Sequence, residues 1–239
     1  MTSRLNALGQ PIGEPLDAWQ PPPRPTTTAL EGTWTRLERL DPARHARALY
    51  DANALDRDGR NWTYLPIGPF PTFDAYDAWL RGVASGGDPY FFTIVDRTTA
   101  APVGVASYMR IEPAAGSIEV GHINFSPLAQ RTSLASEAMW LMMQHAFALG
   151  YRRYEWKCDA LNAPSRLAAE RLGFTFEGVF RQATVYKGRS RDTAWYSILD
   201  GEFPAIERGF LAWLAPDNRD AEGRQVRRLA DLVTEARRA

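Results

Sequence analysis

Between residues 33 and 126 the apolar positions switch between two spacings. In "WTRLERL" (34–40) they alternate with polar ones, the period of a half-buried strand. "DPARHARALYDANAL" (41–55) has helical spacing, with Asp41 placed to cap it and Pro42 in its first turn. A second helix is expected over 71–85, where Phe73, Tyr76, Trp79, Leu80 and Val83 share one face. The aromatic- and proline-rich "NWTYLPIGPF" (61–70) joins the two. Alternation returns in "YFFTIVD" (90–96), "PVGVASYMRIE" (102–112) and "SIEVGHINFS" (117–126). Their short connections predict an antiparallel meander.

A long helix is predicted over about 133–149. Leu134, Ala138, Met139, Leu141, Met142 and Phe147 make it apolar nearly all round, so it should be buried on most sides. Gly150 ends it. A strand at 151–158, a helix at 163–172 stopped by Gly173, and strands at 174–180 and 191–199 follow. The strands before and after the long helix should run parallel, because a helical crossover joins them. In "EFPAIERGFLAWL" (202–214), Phe203, Ile206, Phe210 and Trp213 form one face, and a charged amphipathic tail runs on to 239. Residues 1–32 are proline-rich; Pro21, Pro22 and Pro23 favour an extended arm, for which Leu16 and Trp19 offer docking points. The pattern predicts an α+β fold: a mixed, mostly antiparallel sheet of about seven strands with helices on both faces. Its expected organisation is an arm (1–32), a main domain (33–200) and C-terminal amphipathic helices (201–239).

Composition and charge narrow the partners. The chain carries 28 basic and 28 acidic residues, so its formal net charge is zero. No segment shows the basic excess of a nucleic-acid binder; the basic tail is interleaved with acids. Cys158 is the sole cysteine, and His45, His122 and His145 show no ligand spacing, so no metal site is expected. No uncharged run approaches the ~20 residues that span a bilayer. The first residues lack an apolar signal region, so a cytoplasmic address is expected.

Two stretches carry candidate chemistry: "QRTSLASEA" (130–138), between strand and long helix, and "NAPSRLAAERLGF" (162–174), after the next strand. In that order, around one strand and behind a meander, they resemble the GNAT superfamily of acyl-CoA N-acyltransferases. The look is of the branch containing the ribosomal-protein N-terminal acetyltransferases (RimJ/RimL-like). Asn162, Ser165, Gly173 and Phe174 match that branch's N-x-x-S and G-F spacing. The resemblance spans roughly 33–200 and implies acetyl-CoA as cosubstrate and no metal. It also implies a parallel pair splayed at the coenzyme site.

The family's loop at the helix start is glycine-rich; here it has no glycine. The physics of the position survives that loss. A first helical turn leaves N–H groups unpaired and positive, which favours an anion. Arg131, Thr132, Ser133, Leu134, Ala135 and Ser136 occupy this span, supplying amides, hydroxyls and a guanidinium for the coenzyme diphosphate. The plainer reading is that Ser133 caps the helix and Glu137 answers its dipole. The resemblance assigns Ile123, Asn124 and Phe125 to the pantetheine side, with a backbone N–H of 122–125 as oxyanion donor. It assigns Asn162 and Ser165 to the pantetheine and thiol. A tyrosine common in the family as acid to the thiolate is replaced by Ala169, so the general acid is left open, with Ser165 a candidate.

Base candidates are Glu119 and His122. Strict alternation puts them on opposite strand faces, unless a bulge intervenes. Their plain readings are a solvated strand carboxylate and a half-buried strand histidine. Trp62 and Tyr64 lie where the branch contacts acceptors, although aromatic packing would explain them equally. An α-amine, with a pKa of about 7.7–8.0 against about 10.4 for lysine, suits a site without a strong base. The sequence therefore reads as an N-acetyltransferase for a primary amine, on a peptide N-terminus or a small molecule, working as monomer or homodimer. The alternative is a non-catalytic acyl-CoA-binding module on the same fold.

Overall fold

The computed structural model describes residues 4–239. A short hairpin, β1 (Arg4–Leu5) with β2 (Pro11–Ile12), precedes the main sheet. That sheet has eight strands: β3 (Ala29–Glu31), β4 (Thr35–Arg39), β5 (Tyr90–Asp96), β6 (Pro102–Glu112), β7 (Ser117–Phe125), β8 (Arg153–Asp159), β9 (Thr175–Tyr186) and β10 (Arg189–Leu199). Their order is β3-β4-β5-β6-β7-β8-β10-β9. Among the described residues, only β7 and β8 pair parallel, across the helical crossover, as their connection requires. The sheet gains its eighth strand from β3, in the stretch read as arm, which pairs Ala29 with Glu38 on β4. Alternation was blind to it because three residues are too short to show a period.

Strands β5 and β6 feed two cores. On β5, Phe92 and Ile94 face one core while Phe91 faces the other; on β6, Ala106 and Tyr108 part from Val105 in the same way. The larger core is built against α3 (Ser133–Ala148), α4 (Ala163–Arg171), α5 (Phe203–Leu214) and α6 (Leu229–Arg238). The smaller holds α1 (Pro42–Asn53) and α2 (Phe73–Ala84). Helix starts follow local chemistry: Asp41 caps α1, Thr72 caps α2 and Asn162 caps α4. Gly209 lets α5 and α6 close up, since a Cβ there would lie 2.7 Å from the Val233 Cα.

Two readings of the α3 start change. Thr132, not Ser133, is its cap, accepting from the Ala135 N–H. Glu137 does not serve the dipole. It lies 2 % exposed and accepts hydrogen bonds from the N–H groups of Thr33 (2.7 Å), Trp34 (2.7 Å) and Thr35 (2.8 Å), tying the β3–β4 turn to the helix. The arm's prolines Pro22 and Pro25 are buried. Tyr151 donates to the Pro23 carbonyl at 3.1 Å and Arg24 to that of Ile111 at 3.1 Å.

The three histidines give a pH expectation. Burial lowers the pKa of His45, His122 and His145 below the ordinary 6.5, with Arg44 and Arg110 adding to it at the first two. On acidification the unfolded chain takes up protons that the folded chain refuses, so stability falls as pH drops from about 7 to about 5. Glu119 opposes this, because burial raises its pKa, but it is one group against three. Thermal unfolding at stepped pH checks it; a Tm that stays level or rises over that interval would contradict the assignment.

Candidate active site

The site follows from where the parallel pair stops. The β7–β8 register runs from Ser117 opposite Arg153 to Val120 opposite Trp156, with no pair beyond. Residues 121–125 and 157–159 therefore part, with no ladder between their facing edges. A bulge sharpens the divergence. Val105 and Ser107, two residues apart on β6, face Asn124 and Gly121, three apart on β7. The extra residue is absorbed at His122, whose φ is 48°.

A cavity of about 190 Å³ occupies the opening. Glu119, Gly121, His122 and Ile123 of β7 line it, with Lys157 and Cys158 of β8 and Asn162 and Ser165 of α4. Tyr64 and Asn61, from the α1–α2 connection, close the opposite side. A larger groove of about 460 Å³ between α3 and α5 lies away from the strand opening; it lacks this convergence of carboxylate, hydroxyl and cation. The smaller cavity is the better candidate.

Glu119 is not a solvated strand carboxylate. It is 2 % exposed, and its Oε2 lies 2.9 Å from Lys157 Nζ and 3.3 Å from Arg110 Nε. Burial pushes its pKa up, against the pull of these two cations. The His122 ring packs tilted on Phe91 with centroids 5.1 Å apart, and its Nδ1 is 3.2 Å from Ser107 Oγ. Burial, then Arg110, hold it below the ordinary histidine value, so it is neutral at pH 7. The bulge thus brings Glu119 and His122 to one cavity, where strict alternation would separate them.

At the other wall, Asn162 Oδ1 accepts from the Ser165 N–H (3.2 Å), and Ser165 Oγ accepts from Trp156 Nε1 (3.0 Å). Burial raises the Cys158 pKa, which argues against a thiolate nucleophile there; Ser165 pulls it the other way. Ala169 is fully buried in the larger core and offers no acid. Trp62 does not reach the cavity: it is 4 % exposed, packed edge-on to Phe70 (5.4 Å) and Trp79 (6.5 Å). The plain packing reading holds for it, whereas its neighbour Tyr64 lines the cavity and donates to the Leu161 carbonyl. Asn124 is 4 % exposed with no partner for either amide atom, and is not among the residues lining the cavity. The Phe125 carbonyl accepts from Asn61 (3.3 Å) and Gln130 (2.9 Å), which closes the β7–α3 loop onto the α1–α2 connection.

Beyond Phe125 the chain reaches α3. Arg131 adopts the left-handed conformation (φ 60°) that a glycine would ordinarily take. The N–H groups of Arg131, Thr132, Ser133 and Leu134 donate to no loop carbonyl or side chain, and α3 has no acid in its first turn. Arg131 is exposed, and Ser133 Oγ accepts from Arg219 Nη2 at 2.8 Å. Open amides, helix polarity and a nearby cation fit a diphosphate without glycine.

Sequence reasoning missed Lys157, Arg110, Met109, Asn61 and Arg191, all of which line the cavity. Each lies on a different strand or loop from Glu119, so spacing alone carried no signal for them. The one hint was the charged run of "YRRYEWKC", where a buried strand of the sheet alternates charges with aromatics.

Known proteins agree with this architecture. The family described as an acetyltransferase (GNAT) domain matches residues 35–175, more than half of the chain. A GCN5-related N-acetyltransferase from Brucella melitensis is 44% identical and superposes with a TM-score of 0.89, covering 92% of this chain and 100% of that one. A probable GNAT-family acetyltransferase from Chromobacterium violaceum is 41% identical, with a TM-score of 0.76 over 82% of this chain and 98% of that one. The ribosomal-protein-serine acetyltransferase of Escherichia coli is 31% identical over 102 residues, 42% of this chain and 56% of that protein.

Proposed function

Because the chain belongs to the GNAT acetyltransferase family and resembles its RimJ/RimL-like branch, we propose that it moves an acetyl group from acetyl-CoA to a primary amine. The acceptor is the α-amine of a peptide N-terminus or of a small molecule. The observation that carries this reading is the opening of β7 from β8, which joins open amides at the α3 start to a buried carboxylate. Acetyl-CoA enters with its diphosphate against residues 131–135 and its pantetheine along Ile123 and Asn162. The thioester carbonyl meets the unpaired backbone of β7 just after the bulge, where an N–H stabilises the developing oxyanion.

The amine approaches from the side of Asn61 and Tyr64. Glu119 takes its proton as nitrogen attacks the thioester carbon, and the C–S bond then breaks to release coenzyme A as thiolate. Ser165 stands next to that sulfur as hydrogen-bond donor. Neutral His122 stands on the same wall as the second base candidate, its Nδ1 addressed by Ser107 and its protonated form disfavoured by burial and then by Arg110. An α-amine is about a tenth neutral at pH 7, which asks little of a carboxylate base.

Thiol release from acetyl-CoA tests this against peptide N-termini, polyamines, free amino acids and a peptide whose only amine is a lysine. Faster turnover is expected on α-amines than on the lysine ε-amine. Asn162→Ala should weaken coenzyme affinity and rate, beyond the ~1 kcal/mol lost with the α4 cap. Coenzyme binding with no turnover across the panel would favour a non-catalytic acyl-CoA-binding protein. Unchanged rate and affinity in Asn162→Ala would remove Asn162 from the site.

A further inference from the structure

We propose that Lys157 is a positioning residue for the base, holding one oxygen of Glu119 so that the other faces the acceptor amine. This rests on the acyl-transfer reading above. Lys157 is the first β8 residue past the last β7–β8 pair, so it lies at the apex of the opening. Its side chain is only 6% exposed, which for an ammonium demands partners. Three are present. Glu119 Oε2 is at 2.9 Å, Glu155 Oε2 at 2.7 Å, and the Trp195 ring centroid at 3.8 Å. Glu155 is held in turn by Arg153 at 2.6 Å, and Arg153 by Glu177 at 2.5 Å.

A buried ion-pair chain adds little to stability compared with well-packed apolar residues, so its place at the floor of the cavity calls for another reason. The geometry supplies one. Lys157 and Arg110 both address Oε2 of Glu119. Oε1 is left beside Gly121, where a Cβ would stand 3.5 Å from it, on the strand that opens. A Cβ at 121 would also lie 2.4 Å from Met109 Sδ, so glycine there makes room for that side chain beside the carboxylate. The charged groups facing Glu119 are Arg110 from β6, with Lys157 and, farther off, Glu155 from β8. Neutral His122 lies on its own strand, and Trp195 from β10 is uncharged. Of these, Lys157 is the cation shielded from solvent, since the Arg110 side chain is 51% exposed. Lys157 therefore dominates how far the carboxylate stays ionised against its burial.

The test is the pH profile of kcat/KM for wild type, Lys157→Met, Lys157→Gln and Lys157→Arg with acetyl-CoA and one α-amine peptide. The acceptor's own titration is common to all four, so ratios isolate the enzyme. Removing the cation favours protonated Glu119, so the deficit of Lys157→Met should be about tenfold larger near pH 5.5 than near pH 8.5. Lys157→Arg should recover most of the activity, and Lys157→Gln should follow Lys157→Met if the latter fails to fold. A deficit constant across pH in the neutral variants, or an arginine variant no better than glutamine at equal Tm, would overturn the proposal. If active wild type shows that outcome, the positioning role alone fails; wild type without turnover on any amine would sink both readings.

Discussion

Glu119→Gln lowers kcat/KM for an α-amine acceptor by about 10²–10⁴-fold, the range expected on removing a general base. The dissociation constant for acetyl-CoA should change little, because residue 119 lies on the amine side of the thioester and no diphosphate contact passes through it. The glutamine is nearly isosteric, so Lys157 and Arg110 keep an oxygen or lose one without a cavity opening. Lys157 does lose a counter-charge, and a modest fall in Tm is expected from that. The decisive pattern is a collapse of turnover in a folded, coenzyme-binding protein. The loss should also shrink for acceptors of lower amine pKa, since those arrive already neutral. Single-turnover acetyl transfer, with calorimetric titration of acetyl-CoA on the same sample, measures both. Full activity in Glu119→Gln would pass the base role to another group or to water.

The second large effect is on stability. Glu137→Ala should cost about 3–6 kcal/mol, because three backbone donors each lose a charge-assisted bond worth about 1.5–3 kcal/mol and only water can partly replace it. For a chain of this size that corresponds to a Tm lower by roughly 10 °C, at about 2–4 °C per kcal/mol. The site is tightly built: a Cβ on Gly32 would lie 2.5 Å from the Glu137 carboxyl carbon, so neither side has room to repack. Glu137→Gln should fall between, since an amide oxygen accepts but carries no charge. The consequence reaches function, because Glu137 stands one turn beyond Ser133 and fixes the start of α3 against β4. Denaturant unfolding of the two variants checks the order. Equal stability of Glu137→Ala and wild type would show that the turn at Thr33–Thr35 is held by something else.

How much of this was readable from the chain depends on the range of the force involved. The helix cap at Asp41 was visible because its side chain bonds a neighbour two residues on. The burial of α3 was visible because apolar residues surround it. The crossover between β7 and β8 then followed from connectivity. Trp62 and Tyr64, two residues apart in one loop, show the limit: one turns into the aromatic core and the other into the cavity. Composition is the same for both, and only the packing of Phe70, Tyr76 and Trp79 decides. Glu137 left one trace, an acid on a helix apolar on nearly every side, but its partners lie about a hundred residues earlier.

By itself, the amino-acid sequence determined the order and type of most elements, the single parallel pair, and the two motifs that flank β8. These rest on periodicity and on bonds between near neighbours, which the chain carries locally. Only the tertiary structure decided that a bulge at His122 brings it and Glu119 to one cavity. The same holds for the salt-bridge partners of Glu119, which come from β6 and β8, and for β3 as an eighth strand. Register, burial and ion pairing arise between segments distant along the chain. A local pattern can set which face a residue takes, but not what the fold brings to meet it.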